Sequence, residues 1–149
     1  MNLKLLIKFI IAIALAATIA ITIHIHLMHF IDPIIANTMA TGHYHLINEP
    51  YPPFVVTWAY MTSLLPATGC AIIYYLIGDQ LPGRSRIVKG ILFGLLLLLA
   101  EGNLIRQPLM GAVVGNPFWL PFFQQSHMYA ARIAMGIILA LIIPPRKAA

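Results

Sequence analysis

The sequence predicts an all-α integral membrane protein, a single transmembrane domain over 1–149 folded as a four-helix transmembrane bundle with N-in/C-in topology. Three observations lead there. Of the 149 residues, 60% are hydrophobic and only 9% charged, with a mean hydropathy of +0.88, a composition suited to lipid as solvent. The apolar residues gather into four segments, and about 20 such residues cross a bilayer as a helix. The basic residues flank those segments instead of forming a stripe, so the net charge of +5 reads as membrane topology and not as a nucleic-acid footprint.

The first helix is expected over about 5–31, after Lys4 and Lys8 and stopped by Asp32-Pro33. Its start imitates a secretory signal, with Ala14-Leu15-Ala16 as a mock cleavage site, but the apolar run is longer than the roughly 7 to 15 residues of a signal core. It is read as an uncleaved helix. An outer loop over 32–53 follows. The second helix, about 54–78, carries Pro66 near its middle, where hydroxyls at Thr62, Ser63 and Thr68 can satisfy carbonyls freed by the kink. Asp79 to Arg86, DQLPGRSR, is a polar turn around Pro82-Gly83.

The third helix is expected over about 87–107, with Glu101 and Asn103 late in it. The stretch 109–123 is apolar but broken by glycine and proline, which predicts an interfacial or re-entrant segment covered by protein. The fourth helix, about 124–143, ends at Pro144-Pro145 and contains one charge, Arg132. Lys4, Lys8, Arg84, Arg86, Lys89, Arg146 and Lys147 then share one side and Arg106 alone lies opposite, a positive-inside pattern that places both termini in the cytoplasm. Aromatics such as Phe30, Phe54, Trp58 and Trp119 mark the outer interface, with Tyr74 and Tyr75 nearer the inner one. The Leu81-Pro82-Gly83 turn followed by KGILFG at Lys89 to Gly94 is similar to helix starts in many small bacterial membrane proteins, over too few residues to name a family, and a bacterial cytoplasmic membrane is the expected location.

Helices associate in lipid where small residues permit close approach. Ala12, Ala16 and Ala20 line one face of the first helix, Gly90 and Gly94 mark the third, and Gly136 with Ala140 marks the fourth. The Gly90/Gly94 face continues to Glu101 and the Gly136/Ala140 face runs back to Arg132. Counted from the cytoplasmic ends, these charges lie roughly 21 and 17 Å deep at about 1.5 Å per residue. A lone charge in hydrocarbon costs several kcal/mol, so an intramembrane Glu101–Arg132 pair is expected, with Asn103, Gln107 or Gln125 completing its hydrogen bonds.

The six histidines all fall in the outer half of this topology. Imidazole ligates metals and haem and titrates near neutral pH. His24 and His26 point about 200° apart on a helix and cannot share an ion, whereas His26 and His29 are a turn apart and can. An outward-facing site for a divalent transition metal is therefore expected from His26, His29, His43, His45 or His127, with haem or pigment ligation as the related alternative. The single cysteine, Cys70, excludes an intrachain disulfide and reads as a small buried hydrophobe.

No phosphate loop, nucleophile elbow, CxxC or CxxCH occurs, so a non-enzymatic role comes first. The first reading is an accessory or assembly subunit that packs its small-residue faces against other membrane subunits or against itself. The second is a small ion, proton or metal transporter using Glu101, Arg132 and the outer histidines. The third is a haem- or pigment-binding subunit. No nucleic-acid partner is expected.

Overall fold

The computed structural model describes residues 3–38, 53–106, 109 and 119–146. It is all-helical, and no strand occurs among the described residues. The elements in order are α1 (Leu3–Thr38), α2 (Pro53–Ile77), α3 (Arg86–Ala100), α4 (Trp119–Gln124) and α5 (Ser126–Ile142). Two of them are long and apolar enough to cross a membrane, through Leu3–Ile35 and Thr57–Ile77. At 15 and 17 residues, α3 and α5 fall short of the about 20 residues that a span needs. Most of the expected 32–53 loop and of the 109–123 stretch, with Gln107, His43 and His45, lies outside the described residues.

The helix ends differ from expectation for local reasons. α1 does not stop at Asp32-Pro33 but carries Pro33 inside it. The lost backbone bond is offset by packing beyond the proline: Ile31 and Ile35 are buried against Leu120 of α4, with Leu27 and Phe123 alongside. α3 ends at Ala100 and not near residue 107, because Gly102 adopts φ +77°, a left-handed conformation natural to glycine. The Gly102 N–H then bonds the Leu99 carbonyl at 3.1 Å and the Leu104 N–H reaches back to Leu98 at 3.3 Å. At its start, the Ser85 hydroxyl accepts the Ile87 N–H at 3.2 Å and caps the helix.

α5 is the central helix, packed most extensively against α3 on one side and α1 on the other, while α1 carries α2. Small residues make these approaches possible. A Cβ at Gly90 would fall 2.6 Å from the Ile137 Cα, one at Gly94 would fall 2.7 Å from the Ile133 Cα, and one at Gly136 would collide with the Gly90 carbonyl. Ala12, Ala16, Ala20, Ala67 and Ala71 line the facing parts of α1 and α2 and are almost wholly buried. The small-residue faces expected to meet other subunits are thus consumed inside the chain.

Near the α2–α3 turn, α2 and α3 also meet. There Tyr74 is fully buried, its ring edge-on to Phe93 at 5.2 Å, so it is a core residue and not the interfacial anchor its position suggested. The basic residues cap helix C-termini, where the helix dipole favours cations. Lys89 Nζ donates to the Gly78 and Asp79 carbonyls at 3.2 and 2.9 Å, and Arg86 Nη1 donates to the Leu141 carbonyl of α5 at 3.2 Å. Toward the other end α2 leans away from α5, which it touches only slightly.

Candidate functional site

The loose end of the structure holds the charges. Glu101 sits where α3 terminates, fixed there by the Gly102 turn, and Arg132 projects from the face of α5 that Gly136 and Ala140 continue. Arg132 grips Glu101 with two parallel hydrogen bonds, Nε to Oε2 at 3.0 Å and Nη2 to Oε1 at 2.8 Å. This planar fork is the strong form of the arginine–carboxylate contact. Side-chain exposures of 17% for Arg132 and 32% for Glu101 make it a partly sheltered pair.

Neighbours complete the network. Asn103 Nδ2 donates to Glu101 Oε2 at 2.9 Å, and the Tyr129 hydroxyl donates to the Asn103 backbone carbonyl at 3.1 Å. The α3 terminus is therefore tied to α5 at two heights, through Arg132 and through Tyr129. Gln125 does not reach the charges; its carbonyl accepts the Met128 and Tyr129 N–H groups at 3.0 and 3.2 Å as α5 begins.

Beside the pair lies a cavity of about 300 Å³ between α1, α2 and α5. Ala20 and His24 of α1, Thr62 and Pro66 of α2, and Ala131 and Arg132 of α5 border it. α1 packs on both other helices and forms its floor, and α2 and α5, which hardly touch, form its walls. The third edge of the guanidinium has no oxygen acceptor among the described residues, its Nη1 contacting only the Met135 Sδ at 4.0 Å. Thr62 and Ser63 donate their hydroxyl protons to backbone carbonyls of their own helix, at 2.8 Å to Trp58 and 2.6 Å to Tyr60. Their oxygens keep accepting capacity but no proton to give.

Of the histidines expected to hold a metal, His26, His29 and His127 are described. The structure brings His24 to His127, rings edge-on at 4.6 Å, and the Nδ1 of each is buried with no hydrogen-bond partner among the described residues. His26, expected to share an ion with His29, places its Nδ1 2.8 Å from the Thr22 carbonyl of its own helix, which leaves its Nε2 for other contacts. Among the described residues no three His, Cys, Asp or Glu side chains gather as a metal site. His24 was left out of the candidate site residues, yet a signal for its inward position was present: the Ala12, Ala16, Ala20 stripe reaches position 24 one turn further on. Cys70 is buried, 7% exposed.

The chain matches no protein-family model, no curated protein and no solved structure.

Proposed function

We propose that the chain is an integral membrane protein of the bacterial cytoplasmic membrane, with both termini cytoplasmic, that works as a small ion- or proton-linked transporter at the cleft beside Arg132. Membrane residence is supported by the outward surfaces. Only 28% of the most apolar stretch of α1 and 22% of that of α2 is buried, whereas the apolar helix of a water-soluble core would be mostly covered. Ile10, Ile11, Leu15 and Ile19 of α1 and Leu65, Ile72 and Leu76 of α2 all face outward, as lipid contacts do.

The observation that carries the transport reading is that Arg132, paired to Glu101, also borders an open cavity between helices. Ionisable groups within the bilayer that face a cavity mark solute or proton paths. A dye-loaded proteoliposome with an imposed pH gradient tests it: wild-type protein should dissipate the gradient faster than protein-free vesicles, and Glu101→Gln and Arg132→Gln should return it to the protein-free rate. Equal rates for all four preparations would overturn the reading.

One observation favours the accessory-subunit reading as a second. α2 leaves Trp58, Met61 and Leu65 exposed in its outer half, and a Cβ at Gly69 would meet nothing within 4 Å, so a partner helix has room there. Gentle extraction with a partner chain at fixed stoichiometry, lost on Gly69→Leu, would establish it in place of transport.

A further inference from the structure

We propose that the cleft between α1, α2 and α5 is a binding site for an uncharged, lipid-soluble carbonyl compound. This goes beyond the transport reading, whose cleft it shares, and it rests on that cleft being open to lipid.

The hydrogen-bonding chemistry selects the class. Glu101 neutralises Arg132 through two bonds, so the site presents no net charge. A free cation would find no carboxylate among the lining residues, and an anion would compete with a carboxylate already seated in fork geometry. What remains on Arg132 is the second Nη2 hydrogen and the two of Nη1, with Nη1 held against a thioether at 4.0 Å, a poor substitute for an oxygen acceptor. His24 of α1 supplies a second polar group in the floor of the cleft. The hydroxyl protons of Thr62 and Ser63 are committed to carbonyls at 2.8 and 2.6 Å. The cleft thus needs acceptor oxygens and has little use for ligand N–H or O–H groups beyond those hydroxyl lone pairs.

Size and access narrow it further. The rest of the lining is apolar, with Ala59, Pro66, Met128 and Ala131 among it, and the volume of about 300 Å³ lies at the small end of ligand pockets, where a single ring or ester head is held. The α2 and α5 walls barely meet, and a ligand entering between them from the hydrocarbon would keep its chain in lipid. Isoprenoid-type quinones and neutral acylglycerols share this chemistry: carbonyl oxygens, no charge and a long apolar tail.

Thermal unfolding of the purified full chain in detergent, with decylubiquinone, monodecanoin or decanoate added, tests the site. A rise of about 3 to 5 °C with either neutral compound, of the size expected for saturating ligand, supports it, and whichever compound acts identifies the source. Ala59→Leu, which fills the cavity without touching the ion pair, should abolish the rise; Thr62→Leu on the same wall serves if Ala59→Leu fails to fold. A rise with decanoate alone, a rise unchanged in the filled-cavity variant, or no rise at all would each overturn the proposal. Binding without proton flux would remove the transport reading and leave this site standing, and flux without binding would do the reverse.

Discussion

Gly94 of α3 lies against the backbone of Arg132 on α5, where a Cβ at position 94 would fall 2.7 Å from the Arg132 carbonyl oxygen. The residue that carries the buried cation is therefore also the residue whose backbone the neighbouring helix touches. Gly94→Leu should separate α3 from α5 and lower stability by about 1 to 3 kcal/mol, the usual cost of overpacking, and it should weaken the Glu101–Arg132 contact together with the helix contact. A thermal melt indistinguishable from wild type would show that the two helices are not in this register.

The ion pair predicts a non-additive pattern. Arg132→Gln or Glu101→Gln alone should cost about 2 kcal/mol, the scale of a hydrogen bond to a charged group. That is below the penalty of a fully enclosed pair, because Glu101 is about one-third exposed. The double variant should cost less than the sum, with a coupling energy of about 1 kcal/mol. Denaturant melts of the four proteins measure the cycle, and strict additivity would mean that the fork contributes nothing.

The buried imidazoles predict the opposite sign. His127→Phe preserves an edge-on ring contact with His24 and removes an orphaned nitrogen, so stability should hold or rise by about 1 kcal/mol, the lower end of what an unsatisfied buried polar group costs. A loss greater than about 2 kcal/mol, a large effect for one residue, would instead assign the nitrogen an essential partner.

Gly102 predicts a strain effect. Its φ of +77° should make Gly102→Ala cost about 1 kcal/mol, and Gly102→Asn less, since asparagine tolerates the left-handed region better than alanine. Equal melts for both variants would place the end of α3 elsewhere.

How much of this was legible depended on whether the signal was periodic. The convergence of Glu101 and Arg132 could be counted along two faces at helical spacing, because the glycines that permit close approach lie in the same rows as the charges. The ends of α1 and α3 were not legible in that way. Whether Pro33 stops a helix depends on Ile31 and Ile35 finding Leu120 about ninety residues later, and whether Glu101-Gly102 continues one depends on a backbone angle that glycine leaves free. The pairing of His24 with His127 required knowing that α1 and α5 are neighbours, a tertiary fact that no spacing within either helix contains.

The unequal helices have a consequence for the surrounding membrane. At about 1.5 Å per residue, the 33-residue apolar stretch of α1 is roughly 50 Å long and the 15 residues of α3 only about 22 Å, against a hydrocarbon thickness of about 30 Å. No flat bilayer would match both lengths. If α3 crosses beside α1, α1 must tilt and the leaflets beside α3 must draw together, so hydrophobic mismatch would be built into one flank of the molecule. That flank would then favour thin or readily compressed bilayers, and lipid chain length would become a determinant of how the protein sits.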